Sequence, residues 1–160
     1  MEITEWMAPR LLNGRVALVT GAGQGNGKAI AKGLAKAGAT VIVTDLNEAS
    51  AKSVAAEISG SGEKAFGYQL DVTSPLACDA LAVTVSQEIG DIDILVNNAG
   101  IIVREGMDSQ KVAANLQRTL DVNVMGTFHP THAWLASLRK TRGVIINVGS
   151  IASTTGIPNV

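Results

Sequence analysis

Short, unbroken apolar runs alternate with longer stretches of mixed polarity along this chain. Residues 15–20 carry Val16, Ala17, Leu18 and Val19 in succession and stop at a glycine cluster. A run without polar alternation fits a strand covered on both faces. Residues 25–37 then place Ile30, Leu34 and Ala37 at helical spacing, and Gly38 supplies the terminating glycine. The alternation repeats. Residues 40–44 predict a second buried strand, 48–59 an amphipathic helix with Val54, Ala55 and Ile58 inward, and 65–70 a third strand. Ser74 and Pro75 open the next helix, at a position where the missing proline N–H costs nothing. Residues 92–96 predict a fourth strand and 144–148 a fifth. Between them Asp108 or Ser109 can cap a long helix through Val112, Leu116 and Leu120. Helical spacing resumes after Gly126 and runs to Lys140, with Pro130 inside it predicting a kink or a break.

Five strands separated by helices predict an α/β fold, a Rossmann-type doubly wound parallel sheet. The chain has no repeat, low-complexity tract or linker, so residues 1–160 read as one NAD-binding domain with residues 1–14 as an N-terminal arm. Hydrophobic residues at 46% and charged ones at 17% support a folded core. A net charge of −1, no basic stripe and only 3% aromatics argue against nucleic-acid partners. The basic group Arg139, Lys140 and Arg142 reads as a solvated helix end. No stretch approaches the roughly 20 apolar residues that cross a bilayer. The first ten residues, with two acids, do not resemble a signal peptide. A cytoplasmic protein with no membrane association is the expectation. The single cysteine, Cys78, fits a reducing compartment and reads as a small buried hydrophobe.

The chemistry concentrates after the first strand. Thr20, Gly21, Gln24, Gly25, Asn26 and Gly27 lie where that strand turns into a helix. A pyrophosphate must approach backbone N–H groups at a helix N-terminus, and side chains there would block it. Asp45 ends the second strand, 18 residues beyond Gly27, close to the spacing of a ribose-reading acid. A carboxylate accepts from both ribose hydroxyls of NAD and repels the 2′-phosphate of NADP. Gln24, Leu46 and Asn47 add no positive charge beside it. NAD is the expected cofactor, with NADP disfavoured.

The glycine spacing is TGxxxGxG, and here the sequence resembles the classical short-chain dehydrogenase/reductase family. Further motifs follow in order: Asp71-Val72 after the third strand, Asn97-Asn98-Ala99-Gly100 after the fourth, Asn123 with Thr127-Phe128 beyond it, and Asn147-Val148-Gly149-Ser150 after the fifth. The resemblance covers residues 11–160. It implies an NAD(P)-dependent oxidoreductase that interconverts an alcohol and a ketone of a small molecule such as a polyol or sugar. By the same resemblance Asp71 and Val72 meet the adenine, and Asn98, Ala99 and Gly100 wall the cofactor. Ser150 positions the substrate oxygen, and the backbone of Asn123 holds a water of the proton relay. The stretch bearing Phe128 and Trp134 implies a homo-oligomer, a dimer or tetramer at full length. Asn26 departs from the family, which more often has an apolar residue there.

The family's YxxxK motif is absent from the chain. Its tyrosine would fall just past Val160. The only tyrosine, Tyr68, lies in the third strand, and Val72 stands where the lysine would be. Tyr68 is expected to be structural. The apolar fifth strand, with nothing after it, predicts an exposed sheet edge. The chain therefore reads as the N-terminal part of a short-chain dehydrogenase, without its C-terminal strands, and as inactive by itself. Losing a general acid/base typically costs about 10²–10⁴ in rate. Ser153 is a weaker candidate than Ser150 for the catalytic serine. His129 and His132 lack the third ligand a zinc site needs, so no metal is expected. Trp6 is expected to pack against the body or a neighbour.

Overall fold

A computed structural model describes residues 10–106 and 108–150 of the chain. Trp6 and Ser153 lie outside these residues. In chain order the elements are β1 (Val16–Val19), α1 (Gly25–Lys36), β2 (Thr40–Asp45), α2 (Glu48–Gly60), β3 (Ala65–Gln69), α3 (Pro75–Glu88), β4 (Ile94–Asn97), α4 (Val112–Leu120), a π-helical turn (Asp121–Met125), α5 (Gly126–Ala133), α6 (Leu135–Thr141) and β5 (Val144–Asn147). The five strands form one sheet in the order β3-β2-β1-β4-β5, every pairing parallel.

The unbroken apolar runs are explained by two cores, one on each face of the sheet. Alternate strand residues point to opposite faces. Ala17, Val19, Val41, Val43, Ile94 and Val96 pack under α1 and α2 with Ala31, Ala35, Val54 and Ile58. Leu18, Ile42 and Leu95 pack on the other face with Cys78, Leu81 and Val85 of α3, Trp134, and Leu138 of α6. Cys78 is fully buried, and burial pushes its thiol up to about 11. It fills space, as its position predicts.

The sequence order turns back at β1. From β1 the chain winds outward to β2 and β3, then crosses to β4 on the other side. That reversal opens a crevice above the carboxyl ends of β1 and β4, the place where open α/β sheets bind ligands. Among the described residues β5 is an edge strand, paired with β4, and Val144, Ile145 and Ile146 are exposed. The apolar sheet edge expected from sequence is present.

The region between β4 and β5 departs from expectation in three ways. Neither Asp108 nor Ser109 caps α4. Lys111 occupies the cap position without a side-chain bond, while Ser109 Oγ accepts from the Lys111 amide at 3.1 Å and bonds Glu105. The helix therefore starts at Val112, directly after the local turn that Ser109 builds. Second, α4 passes into a π-helical turn before α5. Third, Pro130 stays inside α5, and the discontinuity falls at Trp134, where φ is −96° and ψ 6°. The Trp134 amide still donates to Pro130 O at 3.1 Å, and Leu138 N to Trp134 O at 2.9 Å. The swing seats the Trp134 indole in the second core, where it is 2% exposed. At the end of α6, Lys140 pairs with Asp91 at 2.5 Å. Among the described residues no helix is long and apolar enough to cross a membrane.

Candidate cofactor-binding site

The loop between β1 and α1 is shaped by close approaches. Gly25 has φ +54°, in the left-handed region that favours glycine, and opens the helix. Gly23 donates its N–H to Asp45 Oδ2 at 2.9 Å, and a Cβ there would fall 2.8 Å from that same oxygen. Gly27 is tighter: a Cβ would sit 2.3 Å from Gly21 O and 2.5 Å from Asn98 Nδ2. Gln24 precedes α1 in extended geometry with no side-chain cap, and the first turn holds no acid. The leading amides of α1 are thus left to an outside anion.

Asp45 holds the far side of this loop. Its Oδ2 accepts from Gly23 N, and its Oδ1 accepts from Asn47 N at 3.0 Å. Asn47 in turn caps α2, its side chain accepting from Ser50 N at 3.1 Å. The carboxylate is therefore oriented by two backbone donors before any ligand arrives. Asp71 is braced in the same manner, its Oδ1 accepting from Thr73 N at 2.9 Å and Thr73 Oγ1 at 2.7 Å. The Val72 carbonyl accepts from His129 Nδ1 at 3.0 Å, which fixes the proton on that ring nitrogen. A Cβ on Gly126 would lie 2.6 Å from Val72 Cγ2, so the start of α5 passes directly against this segment.

These groups meet in a cleft of about 610 Å³. Of the residues expected at the cofactor, Gly21, Gln24, Asn26, Gly27, Asp45, Leu46, Asp71, Val72, Asn98, Ala99 and Gly100 line it. Thr20 and Gly25 do not. Thr20 is fully buried, and its hydroxyl is spent on protein: it accepts from Asn98 N at 3.0 Å and Ala99 N at 3.1 Å. Through these bonds the Thr20 hydroxyl positions residues 98–99 beside the cleft. Gly25 contributes the turn rather than a wall. Asn98 completes the lock, its Nδ2 donating to Thr20 O at 2.9 Å and Gly21 O at 3.0 Å.

Asn123 and Ser150 also lie outside the lining. Asn123 sits in the π-helical turn, where Gly126 N reaches back to Asp121 O. Such turns recur at functional sites. Its side chain clamps the backbone of Ile101, Oδ1 accepting from Ile101 N at 2.8 Å and Nδ2 donating to Ile101 O at 2.9 Å. It thereby ties the π-helical turn to the end of the segment that walls the cleft. Ser150 lies three residues beyond Asn147, the last residue of β5, whose Oδ1 accepts from Asn97 Nδ2 at 2.9 Å. Tyr68 is removed from this chemistry. Its hydroxyl donates to Glu88 at 2.6 Å, and burial, reinforced by that carboxylate, pushes it up to about 12.

Leu70, Thr73, Ile101, Arg118, Asp121 and Val122 also line the cleft. The first three flank motifs already singled out. Arg118, in the last turn of α4, and Val122, in the π-helical turn that continues it, could have been found from their four-residue spacing, which brings them to one side.

Comparison with known proteins agrees with this geometry. The family described as short chain dehydrogenase matches residues 15–160. The 3-oxoacyl-(acyl-carrier-protein) reductase FabG of Haemophilus influenzae is 38% identical over 148 residues, 92% of this chain and 60% of that protein. The 7alpha-hydroxysteroid dehydrogenase of Escherichia coli K12 is 38% identical over 143 residues, 89% of this chain and 55% of the relative. A solved structure of a 7 alpha-hydroxysteroid dehydrogenase, complexed with NADH and 7-oxo glycochenodeoxycholic acid, superposes with a TM-score of 0.86 at 38% identity, covering 92% of this chain and 58% of that one. A gluconate 5-dehydrogenase from Burkholderia cenocepacia J2315, in complex with NADP and tartrate, gives 0.86 at 35% identity, covering 93% and 58%. The chain thus spans about 60% of the length of these relatives.

Proposed function

Because this chain belongs to the short-chain dehydrogenase family, we propose that it forms the NAD-binding part of an oxidoreductase that interconverts an alcohol and a ketone. The observation that carries the choice of NAD is the Asp45 carboxylate, held at the cleft by Gly23 N and Asn47 N. Held there, it can accept from ribose hydroxyls and repels a 2′-phosphate. One relative's structure holds NADH and the other NADP, so the preference rests on Asp45.

The bound dinucleotide supplies a hydride acceptor or donor. The protein's part is to hold and orient it. The α1 amides take the pyrophosphate, Asp71 and Val72 face the adenine, and Asn98 to Gly100 form the floor. Ser150 positions a substrate oxygen, and the Asn123 backbone supports proton relay. The companion proton needs a base poised near neutrality. Tyr68, the sole tyrosine in these residues, cannot serve, since its hydroxyl is bound to Glu88 and raised to about 12. The 160-residue chain alone is therefore expected to bind cofactor without turning over alcohols.

Calorimetric titration with NAD⁺ and NADP⁺ tests both statements. Wild-type protein is expected to prefer NAD⁺. Asp45→Asn retains an oxygen for Gly23 N but loses the charge. It is expected to weaken NAD⁺ about 10-fold or more, the usual worth of a hydrogen bond to a charged group. NADP⁺ should strengthen. An unchanged ratio between the two cofactors removes Asp45 as the selector. Robust alcohol oxidation by the purified chain overturns the assignment of Tyr68.

The same proposal includes self-association. Leu116, Leu120, Val124 and Phe128 are exposed and spaced by four along α4, the π-helical turn and α5. Such a stripe buries itself against a second copy more readily than it remains in water. Light scattering should show a dimer or larger species, and Leu120→Asp with Phe128→Asp should give a folded monomer. A monomeric wild type at tens of micromolar contradicts this part.

A further inference from the structure

We infer that Arg118 is an adenine-contact residue, its planar guanidinium covering the face of the base turned away from Val72. The inference rests on the proposed dinucleotide reading of the cleft. Three carboxylates, Asp45, Asp71 and Asp121, line that cleft together with Arg118. Each is engaged by neutral donors of its own chain: Asp45 by two backbone amides, Asp71 by Thr73, and Asp121 by Gln117 Nε2 at 2.7 Å. Among the described residues Arg118 makes no ion pair. A cation that shares a cleft with three anions and pairs with none is available to a ligand.

Its position selects the adenosine half. Arg118 lies in the last turn of α4, four residues before Val122 of the π-helical turn that continues it, and both line the cleft. Val122 packs against the core layer that contains Leu70 and Val72, and Gly126 abuts Val72 directly. That side of the helix therefore faces the segment 70–73. The pyrophosphate is already supplied with donors at the opposite wall, by the uncapped first turn of α1. Among the described residues no aromatic side chain lines the cleft. A base resting on Val72 thus has one planar group to meet on its other face, and a guanidinium stacks well on a π-system.

The test is affinity for NAD⁺, NADP⁺, AMP and nicotinamide mononucleotide, at low and at high salt, for wild type, Arg118→Ala and Arg118→Lys. Arg118 is exposed, so thermal melts should show both variants folded. Arg118→Ala should weaken AMP and NAD⁺ by a common factor of about 5–10, retained at high salt, and leave the mononucleotide unchanged. Lysine, which lacks the plane, should restore only part. Loss confined to NADP⁺ would put Arg118 on a 2′-phosphate and overturn the inference, as would a loss that vanishes with salt or no loss at all. Wild-type protein that binds none of the four overturns the dinucleotide reading, and this inference with it. Wild-type binding with an unaffected Arg118→Ala overturns this inference alone.

Discussion

Gly27→Ala is expected to abolish measurable NAD⁺ binding and to lower the melting temperature by about 5–10 °C. The added methyl would stand 2.3 Å from Gly21 O, 2.5 Å from Asn98 Nδ2 and 2.9 Å from Ala22 Cα. Two of those three atoms are backbone, so no rotamer change relieves the clash. Alanine's better helix propensity returns about 1 kcal/mol, less than such a collision costs. Relief requires α1 to move off the loop, which carries its leading amides away from the phosphate site. Gly33 supplies the control within the same helix. Nothing lies within 4 Å of a Cβ there, and Gly33→Ala should leave binding intact and stability equal or slightly higher. Calorimetry and a thermal melt on the two variants decide the matter. Equal behaviour of both would show that α1 does not seat where the structure puts it.

Glycines 21 to 27 were legible in the sequence because their context is local: a strand before, a helix after and an acid at the next strand end. The strands were legible because two-sided burial forces unbroken apolar runs, and Leu18, Ile42 and Leu95 alternate with their neighbours between the two cores. The helical region after β4 was not legible to the same degree. Its breaks answer to distant contacts. The π-helical turn sits where Asn123 clamps Ile101 and where Gly126 meets Val72, and the discontinuity at Trp134 seats an indole in the core beneath α3. No local signal marks these. Arg118 escaped notice for a similar reason. Its four-residue spacing from Val122 is visible in the chain, but that this side of α4 faces residues 70–73 is known only from the packing. For Thr20 the motif suggests a ligand contact, and only the packing reveals that its buried hydroxyl also holds the amides of Asn98 and Ala99.

The bonds of the Thr20 hydroxyl make a second large effect predictable. Thr20→Val keeps the shape of the side chain and removes only its hydroxyl chemistry. In the native protein the fully buried Thr20 Oγ1 accepts from two part-buried amides, Asn98 N at 3.0 Å and Ala99 N at 3.1 Å. Valine would leave both donors without an acceptor. An unpaired donor shielded from water costs about 1–3 kcal/mol, so the pair should destabilise the fold by about 2–6 kcal/mol. The Val96 carbonyl loses less, because its bond from Thr20 Oγ1 is long at 3.4 Å while Thr20 N still donates to it at 3.0 Å. The loop 98–100 is a wall of the cleft, so its loosening should weaken NAD⁺ as well, although Thr20 itself is not among the lining residues. Thr20→Ser separates the two causes. It keeps the acceptor and loses a methyl, and should cost about 1 kcal/mol with near-normal binding. Urea unfolding and NAD⁺ titration of both variants read the difference. If Thr20→Val unfolds at the same urea concentration as Thr20→Ser, the hydroxyl does not support the loop, and its burial would reflect packing alone.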